Sequence, residues 1–547
     1  MLPPRFSFGA FLVAVSLLSA ACGGGGAPAT PTSEPTAAAS PSLTSTASAT
    51  GTVEADKVID LAEQEALLTV IGADIGDFES DLGAVATGDF NGDGLADVIA
   101  GARFGDGPDN AREDAGEAYI ILGSSHAPAV LDLATDQADV TIWGEGPGDA
   151  LGLFVAAADL DGDGFDDILL GAPFAKFGAV EGGQPGKAYV IYGNAELPAT
   201  IDVAQDGADV ELIGATSQAF FGDSLAAGDV NDDGSADLIV GATFEGHRPT
   251  GAGLLRAGAA YVIYGGERWP ARLEMAAGDF DAAVYGAEEF DELGDNVTSG
   301  DLNDDGYADV MITAEAADGP DNTRPVAAEV DGVFGSKSLK KTTFLGAGEG
   351  DISVTGAETQ DTLGFSIAAG DFNNDGIDDV AMGARLANGP EDQRNSAGEV
   401  WVLFGSRSLP SVIDLAEPPA GLAVYYGADG SDFLGGSVAA GDLDGDGTTE
   451  LIMGAPFGDG PANSRGGAGE VYVVAGAEPQ VKASVDGAHL AGLVFGALEG
   501  DKFGAAVAAG DFDGDGRDEL VVAATEADGP GRQRPDVGRV YVMSLAP

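Results

Sequence analysis

An acidic loop occurs seven times in this chain of 547 residues, at intervals of about 70 residues. Each copy follows a short apolar segment and has the form Asp-x-Asn/Asp-x-Asp-Gly-x-x-Asp/Glu. The steps between successive copies are 70, 70, 72, 70, 71 and 69 residues. A period this regular indicates one supersecondary unit copied in an array. The loops begin at Asp89, Asp159, Asp229, Asp301, Asp371, Asp442 and Asp511.

The residue types of the loop predict a calcium ion in each unit, up to seven in the chain. Ca²⁺ is a hard cation that takes about six to eight oxygen ligands. Positions one, three, five and nine carry Asp, Asn or Glu, and the glycine at position six permits the sharp turn. Position seven varies in type, as expected where the main-chain carbonyl is the ligand. The predicted side-chain ligands are Asp89, Asn91, Asp93, Asp97, Asp159, Asp161, Asp163, Asp167, Asp229, Asn231, Asp233, Asp237, Asp301, Asn303, Asp305, Asp309, Asp371, Asn373, Asp375, Asp379, Asp442, Asp444, Asp446, Glu450, Asp511, Asp513, Asp515 and Glu519, and the main-chain ligands are Leu95, Phe165, Ser235, Tyr307, Ile377, Thr448 and Arg517.

Other interpretations of the loop fit less well. An EF-hand needs a bidentate Glu at position twelve and a helix on each side, whereas position twelve is Ala100, Leu170 or Val240 in the first three copies. Mg²⁺ prefers one or two carboxylates and keeps several waters. The remaining alternative is a turn whose side chains bond only their own backbone. Seven copies without one lost ligand position favour calcium.

The segments between the loops predict four β-strands per unit. In the second unit these are residues 140–143, 154–158, 167–170 and 187–192. Short apolar and β-branched runs bounded by Gly, Pro and Asp are typical of strands. Seven such units of about 70 residues predict an all-β protein, a seven-bladed β-propeller.

Two further features support a closed ring. The residues before the loops are small, as in Ala86-Thr87-Gly88, which suits an innermost strand where the blades crowd together. The last unit ends after its third strand, residues 540–543, and an additional strand, residues 67–71, precedes the first unit. We therefore predict that this N-terminal strand completes the last blade and removes an exposed edge.

The unit resembles the FG-GAP repeat, which forms the seven-bladed propeller of integrin α subunits and also occurs in bacterial surface proteins and in glycosylphosphatidylinositol-specific phospholipase D. The resemblance covers about residues 60–547. It implies calcium loops on one face of the propeller and ligand docking on the opposite face. The repeat has two signatures, Phe-Gly and Gly-Ala-Pro. The first is intact at Phe221-Gly222 and Phe503-Gly504. The second is intact at Gly171-Ala172-Pro173 and Gly454-Ala455-Pro456 and is most eroded at Thr313-Ala314-Glu315 and Ala523-Ala524-Thr525.

The N-terminus predicts export and a lipid anchor at the bacterial cell envelope or cell surface. The apolar run of residues 8–18 is too short for a transmembrane helix. Leu18-Ser19-Ala20-Ala21-Cys22 resembles a lipobox, so we expect residues 1–21 to be a signal peptide and Cys22, the single cysteine, to be lipidated. Ordinary signal-peptidase cleavage is the alternative. Residues 22–52 are rich in Gly, Ala, Pro, Thr and Ser and predict a linker. Residues 53–547 are the predicted propeller.

The charge of the chain restricts its partners. The formal net charge is −67, from 91 acidic and 24 basic residues. Seven calcium ions would neutralise only part of it, and the remainder suits solubility, weak cation binding or a saline habitat. Binding to nucleic acid or an anionic membrane needs clustered Lys and Arg. We therefore exclude nucleic acid, and we expect membrane contact through the lipid anchor only.

A second repeated pattern lies in the long loop between the second and third strands. Five units carry Gly-Pro with an arginine four residues after the proline. Loops alternate between the two faces of a propeller, so these arginines are expected opposite the calcium loops. One interpretation is a ring of guanidinium groups that binds carboxylates or sulfates; the alternative is pairing with an acid of a neighbouring blade. The residues are Arg112, Arg324, Arg394, Arg465 and Arg534.

These features favour a binding protein over an enzyme. The three histidines stand outside any motif, and the carboxylates are already assigned to calcium. We expect a surface-anchored, monomeric propeller that acts as an adhesion or ligand-binding module for a protein or glycan at the cell surface. The alternatives are a polysaccharide hydrolase or lyase of the envelope, and a structural surface protein without a discrete ligand.

Overall fold

The computed structural model describes residues 57–73, 85–177, 183–248, 253–485 and 490–545. Within them the regular structure is β-strand with single turns of 3₁₀ helix at Pro108–Asn110, Met275–Ala277, Pro320–Asn322, Leu345–Ala347, Pro390–Asp392, Pro461–Asn463 and Pro530–Arg532. The strands are β1 Val58–Asp60, β2 Leu68–Ile71, β3 Val85–Gly88, β4 Asp97–Ala102, β5 Glu117–Ile121, β6 Val130–Asp132, β7 Val140–Trp143, β8 Val155–Ala158, β9 Asp167–Ala172, β10 Lys187–Ile191, β11 Thr200–Asp202, β12 Val210–Ile213, β13 Phe221–Gly228, β14 Asp237–Ala242, β15 Ala259–Ile263, β16 Arg272–Glu274, β17 Ala282–Tyr285, β18 Leu293–Gly300, β19 Asp309–Ala314, β20 Glu329–Val333, β21 Thr343–Phe344, β22 Ile352–Thr355, β23 Leu363–Gly370, β24 Asp379–Ala384, β25 Glu399–Leu403, β26 Val412–Asp414, β27 Leu422–Tyr426, β28 Ser437–Gly441, β29 Glu450–Ala455, β30 Glu470–Val474, β31 Lys482–Ser484, β32 Gly492–Phe495, β33 Phe503–Gly510, β34 Glu519–Ala524 and β35 Arg539–Met543.

These strands form seven sheets, which are the seven blades of a β-propeller. From the inner edge outwards the blades are β3-β4-β5-β7-β11, β8-β9-β10-β12-β16, β13-β14-β15-β17-β21, β18-β19-β20-β22-β26, β23-β24-β25-β27-β31, β28-β29-β30-β32-β1 and β33-β34-β35-β2-β6. The first four strands of each blade are antiparallel neighbours, as in β3 to β7. The predicted seven-bladed, all-β fold is confirmed.

Each blade has a fifth strand, which the prediction of four strands per unit missed. It is two or three residues long and pairs in parallel with the fourth strand, as β11 does with β7. It also comes from the following repeat, so every blade is tied to the next. The signal for it was a short recurring segment, such as Val130-Leu131-Asp132 and Val412-Ile413-Asp414. Such a segment is below the length at which an apolar pattern identifies a strand.

The N-terminal segment closes the ring as predicted. Strand β2 pairs antiparallel with β35 and is the fourth strand of blade seven. Strand β1, which the sequence did not predict, pairs in parallel with β32 and is the fifth strand of blade six. At the inner edge, the Thr87 hydroxyl of blade one donates a hydrogen bond to the Ala509 carbonyl of blade seven at 2.6 Å.

The hydrophobic core is divided among the blade interfaces. Seven clusters of buried residues lie between neighbouring blades in the described part of the chain. The second strands are buried on both faces, which explains their continuous apolar sequence in place of an alternating one. Small residues end the inner strands for the reason predicted, since a Cβ on Gly88 would lie 2.7 Å from the Ala157 Cβ of the next blade.

The two signatures of the repeat meet at each blade interface. A Cβ on Gly454 would lie 2.2 Å from the carbonyl oxygen of Gly504, the glycine of Phe-Gly in the next blade. That carbonyl accepts a hydrogen bond from the Ser437 hydroxyl at 2.8 Å. In blade four Thr313 replaces the glycine and donates its hydroxyl to the Gly364 carbonyl at 3.1 Å. The eroded signature therefore keeps a hydroxyl donor at the same interface.

A buried carboxylate in blade four predicts a pH-dependent stability. Burial raises the pKa of Asp331 from 3.8 to about 7, and the nearby charge of Glu329 raises it further. Between these values the folded protein binds more protons than the unfolded chain, so stability falls as pH rises. The loss is about 1.4 kcal/mol for each pH unit within that range.

We therefore expect Asp331→Asn to raise the urea midpoint at pH 8 and to change it little at pH 4. Urea unfolding at both pH values measures this. Glu65→Gln, at an exposed position, is the control. Equal effects of Asp331→Asn at both pH values would contradict the prediction.

Candidate metal centres

Each acidic loop joins the inner strand of a blade to its second strand, so all seven loops lie on one face of the ring. The ninth loop residue is the first residue of the second strand in every blade, as Asp97 is in β4 and Asp167 in β9. The seven side chains at this position are at most 1% exposed. One carboxylate of each loop is therefore fixed by the sheet, and the others lie nearer to solvent.

The second loop shows how the chain holds the remaining carboxylates. Asp159 accepts hydrogen bonds from the backbone N–H groups of Gly162 at 2.8 Å and Gly164 at 2.9 Å. Asp161 accepts from the N–H of Asp163 at 3.2 Å, and Asp163 from that of Phe165 at 3.2 Å. These bonds turn the carboxylates inward over a short segment. The Asp163 N–H also donates to Asp159 at 3.1 Å, so Asp159 accepts three backbone bonds and Asp161 and Asp163 accept one each. Each carboxylate keeps lone pairs for a cation.

The buried ninth residue has an environment that favours a cation. Asp167 accepts backbone N–H bonds from Leu160 and Gly193, both at 2.9 Å. Burial nevertheless raises its pKa to about 7, with Asp161 and Asp159 raising it further by their charge. The pKa of the equivalent residue is raised to about 7 by burial in the other six loops. Each of these carboxyl groups is therefore costly to ionise without a compensating positive charge.

Three buried oxygens in the loops support the same conclusion. Glu450 Oε1, Glu519 Oε1 and Asn373 Oδ1 have no hydrogen-bond partner among the described residues. In loops two, six and seven, where position three is Asp, carboxylate oxygens from positions one, three and nine lie within 4.8 Å of one another. In loops three, four and five the Asn at position three donates its amide to the ninth residue at 3.2 to 3.3 Å. The residues present thus fit a hard divalent cation.

The loops are also connected to one another around the ring. In six of the seven loops the backbone N–H at position eight donates to the position-one carbonyl of the preceding blade, as Asp166 does to Asp89 at 3.0 Å. Where position eight is Asp, its carboxylate accepts the position-one N–H in return, at 2.8 to 2.9 Å. These residues are Asp166, Asp378 and Asp518. They were not predicted as part of the sites, although an acidic pair at positions eight and nine marks each of them.

Arg268 is a second group that the sequence analysis missed. Its guanidinium contacts two predicted ligands of the second loop, Asp161 Oδ2 at 2.5 Å and Asp163 Oδ2 at 2.9 Å. It also lies 4.6 Å from the ring centre of Tyr192. Arg407 takes a comparable position at the fourth loop but pairs with Asp304, which is not a predicted ligand. A positively charged side chain of the protein, that of Arg268, therefore already lies beside the carboxylates of the second loop.

The five arginines of the Gly-Pro loops make internal contacts. Arg112 pairs with Asp202 at 2.8 Å and Arg324 with Asp414 at 2.7 Å. In each case the acid lies on the fifth strand, which the following repeat supplies. Arg465 and Arg534 pair in the same way with Asp60 and Asp132, and Arg394 donates to Ser484 at 2.6 Å. Four of the five arginines thus pair with an acid that comes from the following repeat but lies in the arginine's own blade, and Arg394 contacts a serine. The arginine ring as a ligand site stays a prediction.

The predicted signal peptide, Cys22 and the linker lie outside the described residues. In the part of the chain that the structure describes, no helix has the length and apolar character needed to cross a membrane.

Comparison with known proteins gives the family. Six segments match the FG-GAP repeat model, residues 83–121, 151–191, 221–263, 363–403, 434–474 and 503–543. The chain is thus a protein of FG-GAP repeats folded as a seven-bladed propeller, as the resemblance implied. Blade four lies outside the matched segments. It departs from both signatures, with Leu293-Gly294 and Thr313, whereas blade seven keeps Phe503-Gly504.

Individual relatives share this propeller region. Integrin alpha pat-2 of Caenorhabditis briggsae is 30% identical over 294 residues, which are 49% of this chain and 22% of that protein. Phosphatidylinositol-glycan-specific phospholipase D of Rattus norvegicus is 26% identical over 425 residues, 72% of this chain and 46% of that protein. Integrin alpha-PS2 of Drosophila melanogaster is 28% identical over 290 residues, 51% of this chain and 18% of that protein. The chain spans less than half the length of each.

Proposed function

We propose that this protein is a calcium-stabilised adhesion or ligand-binding module of the cell surface, anchored through a lipid on Cys22. The observation that supports it best is the complete oxygen-donor set in all seven loops, on one face of the ring. Calcium there would fix the loops between the first and second strands of every blade. The likeness to integrin α propellers supports a binding role, and the likeness to the phospholipase concerns less than half of that enzyme.

We assign ligand binding to an aromatic patch on the face opposite the calcium loops. Leu255 and Phe290 are 58% and 48% exposed and are joined by a backbone hydrogen bond of 2.9 Å. Beside them, the rings of Phe220 and Phe244 stack at 4.6 Å, and the Arg256 guanidinium lies 3.7 Å from the centre of the Phe244 ring. Exposed apolar side chains beside half-buried aromatic rings and an arginine are typical of binding surfaces. Arg256 is also paired with Glu292.

The test is a pull-down from envelope and polysaccharide extracts with the chain carrying Cys22→Ser. We expect a partner that is retained in calcium, released in EDTA and lost in the double variant Leu255→Ser, Phe290→Ser. The matched control is Val412→Ser, because Val412 is 69% exposed on the fifth strand of blade four. If the folded protein retains nothing in calcium, or if the control variant loses the partner equally, the proposed binding role is wrong.

The lipid anchor has its own test. Cells expressing the native chain should incorporate labelled fatty acid into the protein and retain it in the membrane fraction. Cys22→Ser should abolish both. Labelling that persists in this variant would contradict the assignment of Cys22.

We predict that calcium binds weakly at the second loop, because Arg268 occupies two of its ligands. Its guanidinium must leave Asp161 and Asp163 before both can bind the ion. Ion pairs at the surface contribute about 0.2 to 1 kcal/mol each. Arg268 makes two, so we expect Arg268→Gln to tighten calcium binding at this loop by about 2- to 30-fold. The amide resonance of Gly164, whose N–H bonds Asp159, can report binding in an NMR titration.

The matched control is Arg407→Gln, because Arg407 contacts the non-ligand Asp304. The Gly306 amide, which bonds Asp301, reports the fourth loop. We expect calcium binding there to change little. An equal gain at both loops would indicate a general effect of the net charge instead of relief of direct competition.

A further inference from the structure

The first calcium loop carries an asparagine directly before a glycine, Asn91-Gly92. In such a pair the glycine nitrogen can attack the side-chain amide carbon of the asparagine, because a glycine has no side chain to obstruct the approach. None of the other six loops has this pair, and the chain has one further copy at Asn388-Gly389. Asn91 is half-buried and Gly92 is exposed, so water reaches this pair.

The environment of Asn91 differs from that of the asparagines in loops three, four and five. Those asparagines donate their amides to the buried ninth residue of the loop. Asn91 instead bonds Asp93, since its Oδ1 accepts the Asp93 N–H at 2.8 Å and its Nδ2 donates to Asp93 Oδ2 at 3.1 Å. These two bonds fold the Asn91 side chain over Gly92, the residue between them. The bond to Oδ1 also polarises the amide carbonyl, which makes its carbon more open to attack.

Loops two, six and seven hold an aspartate in the same geometry. Asp161, Asp444 and Asp513 precede a glycine and accept the N–H of the position-five residue at 3.1 to 3.2 Å. In these three loops the glycine N–H donates to the position-one carboxylate at 2.8 Å. The Gly92 N–H makes no such bond to the residues that the structure describes. The Gly92 nitrogen is therefore available to react.

We propose that Asn91 is a site of spontaneous deamidation, which gives the first loop the aspartate that loops two, six and seven encode. The Gly92 nitrogen bonds to the side-chain amide carbon of Asn91. The bond from that carbon to Nδ2 breaks, and ammonia leaves with the proton of the glycine nitrogen. Water then opens the cyclic imide. Breakage of the new bond gives aspartate, and breakage of the original peptide bond gives isoaspartate.

The two products have opposite effects on the loop. Aspartate at position 91 adds a carboxylate to a ligand set in which charge strengthens calcium binding. Isoaspartate adds a carbon to the main chain and displaces the residues that follow. A bound ion would hold Asn91 Oδ1 and keep the amide carbon from the Gly92 nitrogen, so calcium should slow the reaction. This calcium dependence rests on the proposed function, whereas the reaction of the loop without an ion does not.

The test follows both Asn-Gly pairs by peptide mass spectrometry during incubation of the full chain with Cys22→Ser. The buffers, at pH 7.5, contain EDTA or about 1 mM calcium, and replacement of the amide by a carboxyl group is read from the mass. We expect calcium to slow conversion of Asn91 by about 2- to 10-fold, for a dissociation constant of about 0.1 to 1 mM. Asn388 is the internal control, because it lies on the opposite face and its glycine is buried. Its conversion should be slower than that of Asn91 in EDTA and equal in the two buffers.

The effect of the aspartate product is measured with Asn91→Asp. This variant should tighten calcium binding at the first loop by about 3- to 10-fold. The amide resonance of Gly94, whose N–H bonds Asp89 at 2.8 Å, reports binding there. Asn388→Asp makes the same charge change away from the loops and should leave this binding unchanged. Equal tightening by the two variants would show an effect of net charge and contradict the assigned role of position 91.

Two results would overturn the deamidation itself. One is an unconverted Asn91 in EDTA while the chain stays folded. The other is equal acceleration of Asn91 and Asn388 in EDTA, which would assign the reaction to unfolding and not to the geometry of the loop. Conversion of Asn91 at the same rate in both buffers would support the deamidation and contradict calcium binding at the first loop, so the two proposals fail separately.

Discussion

Removal of calcium is expected to lower the free energy of unfolding by about 3 to 10 kcal/mol. This range assumes seven sites with dissociation constants of about 0.1 to 1 mM, typical of extracellular modules, at about 1 mM calcium. The physical reason is the buried ninth residue of each loop, whose pKa is raised to about 7 by burial in the absence of an ion. The ion would bind the ionised carboxylates of the folded state and not those of the unfolded chain.

Urea unfolding at pH 7.5 in 1 mM calcium, and again in EDTA, measures this effect. Magnesium at the same concentration is the control ion and should restore little of the lost stability. The double variant Asp511→Ala, Asp513→Ala should lose only the part of the calcium-dependent free energy of unfolding that one site contributes. Superimposable unfolding curves in calcium and EDTA would show that the loops are turns bonded to their own backbone, the alternative that the sequence left open.

The second large effect is expected from one methyl group at a blade interface. Gly454→Ala would place a Cβ 2.2 Å from the Gly504 carbonyl oxygen and 2.3 Å from the Ser437 hydroxyl. Neither neighbour can move freely, because one is backbone and the two are hydrogen-bonded to each other at 2.8 Å. Overpacking of this kind costs about 1 to 3 kcal/mol, and we expect the upper end because the clash involves backbone.

Thr313→Ala is the matched control, since Thr313 occupies the same position in blade four and already has a Cβ there. This variant loses the hydroxyl bond to Gly364 and should cost about 1 kcal/mol. The urea midpoint measures both variants. If Gly454→Ala is as mild as Thr313→Ala, the close approach of the two signatures is not what requires the glycine.

The sequence was sufficient to predict the blades, their number and the closure of the ring. The loop recurs with a period that only an array of similar units explains, and the second strands are continuous apolar runs because they are buried on both faces. The additional strand before the first unit and the incomplete last unit predicted closure by β2. These features are local in sequence and repeated, so each copy confirms the others.

The missing parts of the prediction depend on contacts between repeats. The fifth strands are two or three residues long and pair with a neighbouring blade, so no local pattern identifies them. Arg268 lies more than 100 residues from the loop that it contacts, and its role appears only when the blades are side by side. The arginines of the Gly-Pro loops were recognised as a pattern, but their partners, four acids and one serine, lie on fifth strands that the sequence did not predict.

The most direct test of the account is the number of calcium ions bound per folded chain. Equilibrium dialysis of the chain carrying Cys22→Ser, followed by elemental analysis, gives this ratio as a function of free calcium. We expect it to approach seven at saturation, one ion per blade, with the second loop filling last because of Arg268. A saturating ratio below one would contradict the assignment of the loops as calcium sites and, with it, the proposal of a calcium-stabilised binding module.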